Sequence, residues 1–176
     1  MSLIIDKHLS IGAFEPEDVA AFAEYANDID VYINSLRIPH PYTKADAEIW
    51  VFTNIDRQRR KEPAENFTIR YDGVLIGGIG YMACGAFQEH SVEIGYWLAK
   101  PYRGQGMMGK VIRAFCKYLF ADHPYTKIIA FVFAENKISQ LLLEKNGFER
   151  EGYLKNHYQK GDKLIDAVVF GQIKPL

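Results

Sequence analysis

The stretch Gly95-Tyr96-Trp97-Leu98-Ala99-Lys100-Pro101-Tyr102-Arg103-Gly104-Gln105-Gly106-Met107-Met108-Gly109-Lys110 joins a strand-like run to a helical one through a glycine-rich turn. Backbone N–H groups in the first turn of a helix have no intrahelical acceptor, and the helix dipole adds partial positive charge there. A phosphate or pyrophosphate is the natural occupant. A turn that holds no ligand is the plain alternative.

Three phosphate motifs compete for these residues. Gly104, Gly106 and Gly109 spell G-x-G-x-x-G, the dinucleotide fingerprint, and Gly104 to Lys110 spells most of a P-loop. The P-loop needs Ser or Thr next to ligate magnesium, and Val111 stands there. The dinucleotide fold wants an acidic residue about 20 positions on, at the end of a second strand. Asp122 is nearest, but it falls where the helix ends. The third pattern, Arg103-x-x-Gly106, resembles the R/Q-x-x-G-x-G/A loop that holds the coenzyme A pyrophosphate in GNAT-type acetyltransferases. It meets neither objection.

The chain has 176 residues, a length that suits one domain. A hydrophobic content of 48% suffices for a sizeable core. A net charge of -1 implies no global attraction to nucleic acid or anionic membrane. Arg57, Arg59, Arg60 and Lys61 form a short basic run flanked by Asp56 and Glu62, the pattern of a solvated helix end. Cys84 and Cys116 cannot build a disulfide framework, and Cys116 beside Phe115 and Leu119 reads as a small core residue. His8, His40, His90, His123 and His157 show no metal-ligand spacing. No apolar run approaches the roughly 18 residues of a membrane span. The first residues lack a basic n-region and a long h-region. The expectation is a soluble, cytoplasmic protein without a metal.

A short strand is expected over 7–13, then a helix from Pro16 with Val19, Phe22, Ala23 and Ala26 on one face, ended by Asn27 and Asp28. The prolines of Ile38-Pro39-His40-Pro41-Tyr42 favour an extended loop. Thr43 with Asp46 forms an Asp version of the capping box, opening a helix that carries Ile49, Trp50, Phe52 and Ile55. Phe67–Tyr71 and Val74–Tyr81 are strands joined by Asp72-Gly73, a strong hairpin signal, and Ser91–Leu98 continues the meander. The helix after the glycine loop turns Val111, Ile112, Phe115, Leu119 and Phe120 inward. Lys127–Phe133 is an almost wholly apolar strand, as when both faces are covered. Asn136 and Ser139 open a last helix with Leu141, Leu142 and Leu143, closed by Asn146 and Gly147. Strands at about 148–154 and 164–173 end the chain. The order is β-α-α-β-β-β-α-β-α-β-β, a mixed α/β domain.

This order resembles the GNAT N-acetyltransferases over nearly the whole chain, and most closely their RimJ/RimL-like branch. The resemblance rests on Glu93-Ile94-Gly95-Tyr96-Trp97-Leu98, then Tyr102-Arg103-Gly104-Gln105-Gly106-Met107-Met108, then Asn136-x-x-Ser139. Glu144-Lys145-Asn146-Gly147-Phe148, Glu151-Gly152, Gly161-Asp162 and Asp166 follow in register. Met108 stands where the general loop has Gly or Ala, and the RimL-like branch tolerates Met there. The resemblance implies a single acetyltransferase domain over 1–176, with a central, mostly antiparallel sheet flanked by helices.

It also implies acetyl-CoA as cosubstrate. Trp97 and Leu98 would lie where the family's strand splays and a freed N–H stabilises the developing oxyanion. N–H groups from Arg103 through Gly104, Gln105, Gly106, Met107, Met108 and Gly109 would cradle the pyrophosphate, the Arg103 side chain adding charge. Asn136 would contact the CoA arm, cap its helix, or do both. Glu93 or His157, directly or through water, would take the proton from the amine. For Glu93 a charged strand end is the plain reading, and for His157 an exposed loop histidine. Ser139 would serve the leaving thiolate, since Leu141–Leu143 occupy the stretch where many relatives place a tyrosine; Tyr153 is the fallback.

The acceptor implied is a primary amine: a protein N-terminal α-amine, as on ribosomal proteins, or a small molecule. Ile38–Tyr42 and the first two helices would line its side. Tyr42, Trp50 and Tyr81 fit either a groove or the core, and Trp50 is assigned to the core. Neither cysteine lies in a nucleophile motif, so direct transfer is expected. A CoA-sensing domain without turnover and an NTP- or NAD-binding protein are the other classes that share this loop. A monomer and a homodimer both fit.

Overall fold

The computed structural model describes residues 2–62 and 65–175. Among the described residues eight strands, β1 (Leu3–Ile4), β2 (Leu9–Gly12), β3 (Asn66–Tyr71), β4 (Val74–Ala83), β5 (Ser91–Leu98), β6 (Lys127–Phe133), β7 (Glu149–Lys160) and β8 (Lys163–Ile173), form one sheet in the order β1-β2-β3-β4-β5-β6-β8-β7. The chain divides into two compact units, residues 1–80 with 96–111, and residues 81–95 with 112–176.

The first unit begins with β1 (Leu3–Ile4) and β2 (Leu9–Gly12), followed by α1 (Asp18–Ala26), α2 (Ile29–Ile33) and α3 (Lys44–Arg59). β3 (Asn66–Tyr71) and most of β4 (Val74–Ala83) follow. The end of β5 (Ser91–Leu98) and the start of α4 (Met107–Asp122) complete it. β1 through β4 pair antiparallel. The Asp72-Gly73 turn has positive φ at both residues, 49° and 82°, which matches the twist of the flanking strands. Phe14, Val19, Phe22 and Ala26 pack against Tyr42, Ala47, Val51, Ile55 and Leu75. An ion pair anchors α1 to the sheet: Arg70 Nη1 and Nη2 each donate to the Asp18 carboxylate at 2.7 Å, with Asp18 buried. Breaking such a pair strands a buried charge, so it fixes where α1 starts.

The Thr43 capping box forms as the sequence implies, with Asp46 accepting from the Thr43 N–H at 2.8 Å. The inward face of α3 differs from expectation. Ala47, Val51, Asn54 and Ile55 are buried, whereas Ile49, Trp50 and Phe52 are 69%, 38% and 48% exposed. Apolar residues surround this helix, so periodicity alone does not choose a face. The choice follows from Asn54, whose side chain donates to the Trp50 carbonyl and accepts from Asn66 on β3. Trp50 is therefore not a core residue, while Tyr42 is. The structure also adds β1 and α2, which the sequence pattern does not announce. Asp28, read as a helix terminator, is the N-cap of α2 and accepts from the Asp30 N–H at 3.0 Å.

The second unit holds the rest of β4, β5 and α4, then β6 (Lys127–Phe133), α5 (Lys137–Lys145), β7 (Glu149–Lys160) and β8 (Lys163–Ile173). β5 pairs parallel with β6 through Ser91–Glu93 and Lys127–Ile129, and β8 pairs antiparallel with β6 and β7. Val111 at the join and Ile112, Phe115, Leu119 and Phe120 of α4 are buried, as their spacing implies. Gly147, with φ 84°, closes α5. β7 runs six residues past the expected end at 154, to Lys160. A register shift between Leu154 and Tyr158 interrupts its alternation, which hides the strand from a period-two reading.

β4 and the end of β5 approach closely at Gly77 and Gly78. A Cβ on Gly77 would meet the Trp97 carbonyl oxygen, and one on Gly78 would lie 2.7 Å from the Trp97 indole nitrogen. Backbone cannot move aside as a side-chain tip can. Gly77→Ala is expected to destabilise the fold by about 1–3 kcal/mol, the usual cost of overpacking. Urea denaturation measures this; an unchanged midpoint would contradict the close approach.

Candidate functional site

β5 ends at Leu98, and a 3-10 turn over Lys100–Tyr102 redirects the chain. Tyr102 N–H donates to the Ala99 carbonyl and Arg103 N–H to the Lys100 carbonyl, at 3.0 and 3.3 Å. Gly104 and Gly106 then adopt φ of 75° and 76°. Among the described residues, chain neighbours aside, nothing lies within 4 Å of where a Cβ would sit on either, so conformation and not space demands glycine there. Successive turns of this kind gather N–H groups into a concavity that suits anions. The first helical bond of α4 runs from Lys110 N–H to the Gly106 carbonyl. The N–H groups of Met107, Met108 and Gly109 precede any intrahelical acceptor. Met108 is buried, so its side chain leaves the loop surface and its backbone stays in the turn.

The cations flanking this loop each lie within ion-pair distance of a carboxylate of the same unit. Arg103 Nε donates to the Leu98 carbonyl at 2.8 Å, Nη2 to Asp28 at 2.7 Å and Nη1 to Asp30 at 3.1 Å. Lys100 lies 3.7 Å from Asp30. Lys110 Nζ donates to Asp6 at 2.7 Å. That bond, with the His8 and Leu9 backbone N–H groups, holds the Asp6 carboxyl at about 2. The guanidinium of Arg103, the side chain expected to add charge for a pyrophosphate, lies on the Leu98 carbonyl and two carboxylates. The loop also carries the free backbone N–H groups and the positive dipole end of a 16-residue helix, features that suit an anion.

Also in the first unit, Trp97 is half-buried, its ring 5.2 Å from Phe22 in an edge-on contact, and Leu98 is buried. A pocket of about 300 Å³ is lined by Arg37, Pro39, Tyr42, Ile49, Trp50 and Thr53, among others. It includes the loop and helix residues expected on the acceptor side.

The remaining candidates lie in the second unit. Asn136 is the N-cap of α5, and its side-chain oxygen accepts from the Ser139 N–H at 3.1 Å. Ser139 is thus fixed in the first turn of that helix. Glu93 is half-buried on β5 beside Cys84, whose thiol is pushed up first by burial and then by the Glu93 charge. His157 is exposed, and its ring stacks on Phe131 at 5.2 Å and meets Tyr158 edge-on at 4.5 Å. Tyr153 donates its phenol proton to Asp166 at 2.5 Å, and that bond raises its pKa, which makes it a poor acid. Asp166 also accepts from the Asn156 N–H at 2.7 Å, where φ is 50°, and so pins the irregular stretch of β7 that carries His157. Burial pushes the Cys116 thiol up to about 12, far from a reactive thiolate.

Sequence reasoning missed the residues that hold the loop from behind, Asp28, Asp30 and Asp6. Asp28 and Asp30 stand 75 and 73 positions from Arg103, so no local spacing reveals them.

Residues 8–149 match a family model described as an acetyltransferase (GNAT) domain. The uncharacterized N-acetyltransferase YnaD of Bacillus subtilis (strain 168) is 32% identical over 168 residues, covering 95% of this chain and 94% of that one. The putative ribosomal N-acetyltransferase YdaF of the same organism is 24% identical over 97% of this chain and 93% of its own. A GNAT-family acetyltransferase structure from Bacillus anthracis superposes with a TM-score of 0.85 at 28% identity, covering 98% of each chain. RimL, a ribosomal L7/L12 α-N-protein acetyltransferase in complex with coenzyme A, superposes with a TM-score of 0.83 at 17% identity, again over 98% of each chain.

The Asp6–Lys110 pair beside the loop is open to titration. A folded-state value near 2, below the ordinary 3.8, means the pair contributes stability above pH 3.8 and loses it as pH falls towards 2. Lys110→Ala is expected to raise the Asp6 pKa towards 3.8, though the two backbone donors remain. Carboxyl ¹³C NMR reads this directly; an unmoved Asp6 would contradict the pairing.

Proposed function

This chain belongs to the GNAT acetyltransferases, in their RimJ/RimL-like branch, and from that premise we propose that it transfers the acetyl group of acetyl-CoA directly to a primary amine, with a protein N-terminal α-amine as the leading acceptor. The observation that carries the reading is the backbone of residues 104–109. Two left-handed glycines and the first turn of α4 present N–H groups that suit the pyrophosphate of coenzyme A. The cosubstrate is supported further by RimL, a structural neighbour that is described in complex with coenzyme A.

The chemistry joins the amine nitrogen to the thioester carbonyl carbon and breaks the carbon–sulfur bond, with one proton leaving nitrogen and one reaching sulfur. A backbone N–H near Trp97 or Leu98 stabilises the negative charge on the carbonyl oxygen. Glu93 or His157, alone or through water, takes the amine proton. Ser139, held by the Asn136 cap, orients and protonates the leaving thiolate, and Asn136 also contacts the CoA arm. The cysteines take no covalent part: burial pushes both thiols up, away from the reactive thiolate form, and the Glu93 charge adds to this at Cys84. The pocket around Trp50 receives the acceptor. The whole of 1–176 acts as one acetyltransferase domain. The α-amine of a ribosomal protein is favoured by the likeness to RimL, a ribosomal L7/L12 α-N-protein acetyltransferase, and to YdaF, a putative ribosomal N-acetyltransferase.

Isothermal titration with acetyl-CoA, with ATP and NADH in parallel, tests the cosubstrate, and a panel of N-terminal peptides and small amines tests the acceptor. Saturable binding of acetyl-CoA alone and acetylation of peptides is the expected result. Transfer to small amines only would shift the acceptor class, and binding without any transfer would indicate a CoA-sensing domain. Binding of ATP or NADH without acetyl-CoA would overturn the reading.

A further inference from the structure

We propose that the Arg103 side chain is a positioning residue that couples the anion-binding loop to the pocket around Trp50, and not a ligand of the phosphate; this rests on the acetyl-CoA reading above. All three guanidinium nitrogens are engaged inside the first unit, by the Leu98 carbonyl, Asp28 and Asp30. Lys100 and Arg103 face Asp28 and Asp30, so cations and carboxylates balance. The Asp28 side chain is only 14% exposed. Drawing Arg103 towards a phosphate would leave that carboxylate buried without its partner.

The same carboxylate holds the route to the pocket. Asp28 caps α2 through the Asp30 N–H. α2 leads into the segment bearing Arg37, Pro39 and Tyr42, which line the pocket with Trp50. The neighbouring Asn27 side chain accepts from the Tyr42 N–H at 2.8 Å, across 15 positions of sequence. A second line runs through rings, from Trp97 to Phe22 at 5.2 Å and from Phe22 to Tyr42 at 5.7 Å. The stretch from Asp28 to Tyr42 is thus tied at its start to Arg103 and at its end, through the Tyr42 N–H, to the Asn27 side chain. Ordering of the loop by an anion is transmitted to the pocket through these contacts, and the transmission is measurable as coupling.

Two readouts separate positioning from ligation. The first is calorimetric affinity for coenzyme A in the native protein and in Arg103→Lys and Asp28→Asn. Lysine keeps the charge but cannot make the forked contacts of arginine. The second is ¹⁹F NMR of protein labelled with 5-fluorotryptophan, in which Trp50→Phe assigns the Trp50 signal against that of Trp97. The expected result is a Trp50 signal that moves when coenzyme A saturates the native protein. In both variants that response is expected to be lost, while affinity for coenzyme A changes by no more than about threefold. A Trp50 signal unmoved in the native protein despite saturation would overturn the inference, without recourse to any variant. So would variants that lose about tenfold or more in affinity yet keep the Trp50 response, the pattern of a charge-assisted phosphate contact. No binding of coenzyme A to the native protein would overturn the acetyltransferase reading itself, and this inference with it.

Discussion

Left-handed backbone at Gly104 and Gly106 is the constraint on which the first unit's chemistry depends. Residues with a Cβ rarely adopt that conformation, and here it lets α4 start abruptly with its unbonded N–H groups gathered on one side. The turn is held from behind as well as by its own geometry. Arg103 bonds to the Leu98 carbonyl, which ties the loop to the end of β5, and to Asp28, which ties it to α2. Gly77 and Gly78 let Trp97 lie close against β4, fixing the strand that feeds the loop.

The electrostatics of this loop differ from a simple cationic trap. Arg103, Lys100 and Lys110 are all within ion-pair distance of carboxylates. A charged cleft attracts many anions, whereas aimed N–H groups select by geometry. With its flanking cations paired to carboxylates, what this segment offers an anion is backbone direction, which two glycines control.

Much of this was legible in the chain because the signals were local. Thr43 with Asp46, Asp72 with Gly73, and Gly147 after Asn146 each state a backbone conformation in a few residues, and each forms as read. The loop itself belongs to this class, and the family resemblance rests on it together with the other short motifs in their order. The apolar face of α3 was not legible, since Ile49, Trp50 and Phe52 compete with Val51 and Ile55, and a buried Asn54 decides between them. The far half of β7 was hidden by its register shift, which a distant carboxylate, Asp166, stabilises through the Asn156 N–H. Asp28 read as a helix stop because its partner Arg103 lies in another part of the sequence. Local conformation is written locally; the pairing of remote charges is not.

The most direct measurement is an amide ¹H–¹⁵N titration of the labelled protein with coenzyme A. If backbone N–H groups of this turn hold the pyrophosphate, the largest shifts fall on Gly104, Gln105, Gly106, Met107, Met108 and Gly109, and they move together along one saturation curve. Coenzyme A that leaves these amides in place, or that shifts chiefly residues elsewhere, would contradict the central claim.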